Sequence, residues 1–158
     1  MSKMLSALLG ATILLSINVS ASISKAKPKP KSEVQCLSEM MYHEARGEPK
    51  AGQLAVAVVT INRAKSGKYP DNICHVIRQS GQYPWAKKGL DIKNKGVYNE
   101  ISKLGEKIFK EYHLDDKLPE NLKHLETAMF FNGASFKGKS FKFLAKIGNH
   151  KFYGSRKK

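Results

Sequence analysis

Apolar side chains recur along this chain in three different ways. From Met4 to Val19 the residues are uncharged and mainly apolar, with no period. Between Val34 and Tyr112 apolar positions return every three or four residues, which lines one face of a helix. After Met129 they fall in short aromatic clusters cut by glycine, as in strands joined by tight turns.

The helical stretch divides further. Ser32-Glu33-Val34-Gln35 has capping-box spacing, in which the Ser and Gln side chains satisfy each other's exposed backbone N–H groups. Leu37, Met40 and Met41 follow at helical spacing, so a helix is predicted over 34–46. Gly47 can close it and Pro49 suits the start of another. Leu54 to Ile61 is apolar except at Thr60 and runs on into Asn62-Arg63 without turn residues, so its length predicts a buried helix over 50–66 rather than a strand. Asp71 is the expected cap of a short helix through Gln79 that buries Val76 and Ile77. Val97, Ile101, Leu104, Ile108 and Tyr112 form the strictest amphipathic stripe. Met129-Phe130-Phe131 before Asn132-Gly133, then Phe141-Lys142-Phe143 and Lys151-Phe152-Tyr153, read as hairpin strands. The expected class is α+β, a helical body followed by a small antiparallel sheet near the C-terminus.

Composition narrows the setting. The 158 residues suit one ordinary domain, and 12 Gly with 6 Pro are too few for a collagenous or low-complexity chain. Lys3, the apolar stretch and Val19-Ser20-Ala21 read as a signal peptide over 1–21, cleaved after Ala21. The stretch is shorter than the ~20 residues that cross a bilayer, and an uncleaved anchor is the alternative. Lys25, Lys27, Lys29 and Lys31 behind it work against export by the positive-inside rule. Residues 22–32 read as a Lys/Pro-rich linker, leaving 33–158 as the folded domain. In an exported chain Cys36 and Cys74 are expected to form a disulfide, two buried thiols being the alternative. The loop so closed is worth about 4 kcal/mol at best in the chain-entropy model.

One polar residue interrupts the first stripe. Counting from Leu37, Glu44 falls on the face carried by Met40 and Met41. A carboxyl held against apolar neighbours favours its neutral, proton-donating form, which is what a general acid near neutral pH requires. An ion pair with Arg46 or Arg63 is the structural alternative.

Around this residue the motifs become recognisable. Tyr42-His43-Glu44-Ala45-Arg46-Gly47-Glu48, Gly52-Gln53 with Ala55-Val56-Ala57, and Asn62-Arg63 come first. Tyr69-Pro70, Ile73-Cys74, Gly81-Gln82-Tyr83 and Ile147-Gly148-Asn149-His150-Lys151-Phe152-Tyr153 follow in order. Together, over about 34–153, they resemble the spore-cortex-lytic (SleB-like) cell wall hydrolases.

The resemblance implies a lysozyme-like domain that cuts the glycan strand of peptidoglycan between N-acetylmuramic acid and N-acetylglucosamine. Glu44 matches the family's essential acid. As a lytic transglycosylase it would protonate the glycosidic oxygen, then take the proton from the sugar's own 6-hydroxyl as that oxygen attacks C1. A muramidase-type hydrolase with the same acid is the alternative. Glu48 reads as a cap or ion-pair partner. Gln53, Gln82 and Asn149 offer amides to sugar acetamido and hydroxyl groups. Tyr83 and Trp85, expected in a loop beside Pro84, could stack on sugar faces. His150 could tune the acid or orient substrate, and Tyr153 could donate to an acetamido oxygen. Asn62 and Arg63 are expected to brace the Glu44 helix, and Arg46 to bias the acid's protonation. Two positions depart from the pattern: Pro84 stands where the family commonly has Ser, and Asn132 where it often has His.

No cofactor or metal is expected. His43, His75 and His150 suggest a metal-dependent murein amidase, but no His-Glu-x-x-His spacing occurs. The balance of 28 Lys+Arg against 13 Asp+Glu, a formal +15, would suit a nucleic-acid binder. Its scatter along the chain argues instead for an exported monomer held near peptidoglycan by anionic cell-wall or outer-membrane polymers, with 27–31 and 156–158 adding to the attraction. A non-catalytic wall-binding module is the last rival.

Overall fold

A computed structural model describes residues 30–133 and 140–155. The expected signal peptide, nearly all of the linker and the basic C-terminal residues 156–158 lie outside the described residues.

Helix α1 (Glu33–Ala45) starts with the capping box read from the sequence: Gln35 N–H donates to Ser32 Oγ at 3.3 Å and Ser32 N–H to Gln35 Oε1 at 2.9 Å. Its inward face buries Leu37, Met40 and Met41 completely, each worth roughly 1.5–3 kcal/mol of transfer free energy. Helix α2 (Lys50–Lys65) is buried on almost every side from Gly52 to Ala64. A helix of small and β-branched residues with no polar face has to be the centre of the fold. Against it pack α1, strand β1 (Ala128–Asn132) and α3 (Ile73–Arg78). Cys36 of α1 is disulfide-bonded to Cys74 of α3, across 38 positions of chain. Asn72, not Asp71, caps α3, its Oδ1 accepting from His75 N–H at 3.2 Å.

Pro84 begins a five-residue helix, α4 (Pro84–Lys88), where a loop was expected around Tyr83 and Trp85. Proline suits a first helical turn because its missing N–H would have no partner there. Helix α5 (Lys95–Ile108) lies along α1. They pack tightly at Gly105, where a Cβ would come within 2.6 Å of Ser38 Oγ. The predicted stripe holds except at Val97, which is 36% exposed. It reaches Tyr112 through a π-helical turn over Phe109–Leu114.

After a 3₁₀ turn (Glu120–Leu125) the chain forms β1 (Ala128–Asn132), β2 (Phe141–Ile147) and β3 (His150–Ser155). The sheet is antiparallel with β3 in the middle, so β1 and β2 never pair. Phe152 of β3 is fully buried. Two side chains of α2 fix the entry to β1. Asn62 Nδ2 donates to the carbonyls of Leu125 (3.0 Å) and Ala128 (2.8 Å), and Arg63 Nε to that of Met129 (2.8 Å). Both residues were expected to brace the Glu44 helix; these bonds go to the start of the sheet, while Arg63 also reaches the Tyr83 hydroxyl and Asn62 that of Tyr112. Among the described residues no helix is long and apolar enough to cross a membrane.

Candidate active site

The last turn of α1 places Glu44 half-buried at the point where the chain breaks at Gly47. Its Oε1 accepts a 2.6 Å hydrogen bond from Trp85 Nε1 on α4, 41 positions away. The Trp85 ring also packs on His43, with ring centroids 4.4 Å apart and planes tilted by 30°. Because indole N–H only donates, Oε1 is held as an acceptor and a transferable proton belongs on Oε2. Arg46, expected to bias this acid, instead sits over the Tyr42 ring at 5.2 Å.

Tyr83 closes the other side. Its hydroxyl lies 3.0 Å from Thr60 Oγ1 and accepts a 3.5 Å bond from Arg63 Nη1. Burial pushes the phenol upward, so it stays a protonated, fixed wall. Between these groups is a cavity of about 240 Å³, lined by Glu44, Arg63, Gln82, Tyr83, Phe130 and Phe131, with Gly81 at its rim. Among the described residues Glu44 is its one carboxylate. An aromatic wall, one side-chain amide, the Arg63 guanidinium and a single acid make a site able to receive a polar ring and hand it a proton.

Glu48 is occupied elsewhere. It accepts from Asn149 backbone N–H at 2.9 Å and from Asn149 Nδ2 at 3.0 Å, across 101 positions. The Asn149 backbone N–H is the main cause that holds the Glu48 carboxyl below its ordinary value. Gln53 Nε2 donates to the Glu48 carbonyl at 3.0 Å. Thus Glu48, Gln53 and Asn149 tie the α1–α2 junction to the β2–β3 turn. Gly148 makes this possible: its φ is +58°, and a Cβ there would overlap Glu48 Oε2.

The remaining predicted residues are spread more widely. His150 packs its ring edgewise on Phe131 at 5.2 Å, and its Nδ1 is buried with no hydrogen-bond partner among the described residues. Tyr153 is buried against Phe143, ring centroids 5.7 Å apart. Asn62 accepts the Tyr112 hydroxyl under β1. No cluster of three His, Cys, Asp or Glu side chains among the described residues could hold a metal ion.

Sequence reasoning overlooked Phe130, Phe131 and Thr60 as parts of this site, and His43 as the support of Trp85. Neighbouring strand residues ordinarily face opposite sides, so period alone sets only one of the two phenylalanines on the cavity. The register irregularity between Ala128 and Phe130 had no local signal.

Comparison with known proteins places the chain in a family. A family model described as "Cell Wall Hydrolase" matches residues 47–153, a span that begins just after Glu44. A spore cortex-lytic enzyme of Halalkalibacterium halodurans is 48% identical over 46 residues, 29% of this chain and 14% of that protein. One from Oceanobacillus iheyensis is 45% identical over 47 residues, 30% and 17% of the two chains, and one from Bacillus subtilis 41% over 46, 29% and 15%. The match therefore spans less than a fifth of each relative's length. No solved structure matches.

Proposed function

This chain belongs to the cell wall hydrolase family, and from that premise we propose that it degrades peptidoglycan by cleaving the glycan strand between N-acetylmuramic acid and N-acetylglucosamine, as an exported lytic transglycosylase. The observation that carries the reading is the isolation of Glu44: among the described residues it is the one carboxyl on an aromatic-walled cavity, and the nearest other acid in sequence, Glu48, is engaged by Asn149.

A glycosidase that activates water needs two carboxylates, ~5–5.5 Å apart for retention or ~6.5–9.5 Å for inversion. A single acid is sufficient where the nucleophile comes from the substrate. Glu44 Oε2–H protonates the glycosidic oxygen as the C1–O bond breaks, leaving positive charge on the sugar ring. The resulting carboxylate then accepts the 6-hydroxyl proton as that oxygen bonds to C1, and the acid is regenerated. Throughout, Trp85 Nε1–H steadies the charged form through Oε1. Gln82 is available to a sugar amide or hydroxyl, and Tyr83 and Phe131 offer ring surface. A purely structural Glu44 paired with Arg46 loses support because Arg46 lies on Tyr42.

Purified murein digested with the protein is expected to yield fragments lighter by one water than hydrolysed muropeptides. Glu44→Gln is expected to stop their release while murein binding persists. Hydrated fragments would reassign the enzyme as a muramidase, and free stem peptides would reject glycan cleavage altogether.

A further inference from the structure

A second, larger cavity of about 410 Å³ opens on the other side of the last turn of α1. His43, Arg46 and Gly47 from that turn bracket Glu44 in the chain and line this cavity rather than the first. Its far wall is the connection after α4, where Leu90, Asp91 and Lys93 face it, with Val97 from α5. Four large apolar side chains among the described residues are markedly exposed, and two of them, Leu90 at 53% and Val97 at 36%, are on this one cavity. The Arg46 Cζ lies over the Tyr42 ring at 5.2 Å from its centroid, a contact with a ring face that leaves guanidinium N–H groups to offer an anion. The Tyr42 hydroxyl in turn accepts from Asn94 N–H at 3.0 Å, which pins the opposite wall to α1. Two cations, one carboxylate and two exposed aliphatic side chains therefore share one concave surface.

We propose that this cavity is a subsite for the short peptide borne by the glycan strand, an oligopeptide with at least two carboxylates, a methyl side chain and one free amine. The carboxylates would meet Arg46 and Lys93, the ammonium Asp91, and the methyl group Leu90 and Val97. This inference rests on the reading of the Glu44 cavity as the glycan site, since a peptide branching from a sugar held there emerges beside the same helix end. The two cavities also share a mechanical link: His43 lines the second cavity and stacks on the Trp85 that bonds Glu44. Occupancy at His43 would steady the indole and, through it, the acid.

The test uses a ligand with no glycosidic bond, so its outcome is independent of how Glu44 acts. N-acetyl-alanyl-γ-glutamyl-lysine, whose one free amine is the lysine ε-ammonium, is titrated into ¹⁵N-labelled protein spanning residues 22–158. Saturable backbone shifts are expected at His43, Arg46 and Leu90–Asn94. Lys93→Glu and, separately, Arg46→Ala should each weaken binding about tenfold, the scale of one charge-assisted hydrogen bond. N-acetyl-alanyl-lysine amide, with the same single amine but no carboxylates, should bind at least as weakly as those variants. The proposal is overturned if millimolar peptide produces no shifts or shifts elsewhere, or if both variants bind like the wild type. It is also overturned if inorganic phosphate moves the same amides at equal affinity, which would mark a generic anion site. A failure of glycan cleavage would appear instead in the product masses of murein digests and leaves this titration unchanged.

Discussion

Gly148→Ala should expose how the junction beside Glu44 is held in place. At φ +58° an L-residue pays roughly 1–2 kcal/mol in left-handed strain. The added Cβ would also overlap Glu48 Oε2, approach its Cδ to 3.0 Å and come within 3.2 Å of Pro49 Cδ, so the carboxylate must leave Asn149. Glu48 is near the surface, so the two lost hydrogen bonds are counted at the low end, about 0.5–1 kcal/mol each after competition from water. The total is about 2–4 kcal/mol, or a fall of roughly 6–14 °C in Tm for a domain of this size. In a Glu48→Ala background the overlap with the carboxylate and both bonds are already gone, and Gly148→Ala should cost the ~1–2 kcal/mol of strain together with the close approach to Pro49, which is common to both backgrounds and cancels in the coupling. Urea unfolding of the four proteins gives the coupling directly, expected at about 1–2 kcal/mol. Additive effects within about 0.5 kcal/mol would show that the Glu48–Asn149 contact does not hold the junction in solution.

Trp85→Phe keeps an aromatic ring for His43 but removes the N–H that reaches Glu44; murein lysis should fall about 10- to 100-fold with stability within about 1 kcal/mol of wild type, and undiminished lysis would deny Trp85 a positioning role. The Glu48 carboxyl is held below its ordinary value of 4.5, so its contribution is fully present above about that pH and is lost as pH falls through the lower folded value. Glu48→Gln should therefore be less stable than wild type at pH 7 and indistinguishable from it in sufficiently acid buffer; a gap that persists unchanged would contradict the assignment. Reducing the Cys36–Cys74 bond, or replacing both residues by Ser, should lower the unfolding free energy by up to about 4 kcal/mol, read by thermal melts with and without reductant.

Two neighbouring acids are held in different surroundings. Both lie within five positions of chain, yet the break at Gly47 and Pro49 turns one toward an aromatic cavity and the other toward the sheet. The acid on the cavity is aimed by an indole from a separate helix. The acid on the sheet side secures the bend that separates them.

What the amino-acid order determined by itself was local. The capping box, the helix ends near Ala45 and Lys65, the amphipathic stripe from Ile101 to Tyr112 and the aromatic strands all follow from spacing, because a helix or strand sorts its own side chains by period. Glu44 stood out for the same reason, as a polar residue on an apolar face. Tertiary structure decided everything that joins distant positions: Trp85 to Glu44 across 41 residues, Glu48 to Asn149 across 101, Arg63 to Met129 across 66, and β3 between its two neighbours. It also drew Arg46 onto Tyr42 and sank Tyr83 against Thr60. Such pairings carry no period, since each is chosen by which surfaces remain to be covered once the helices have packed.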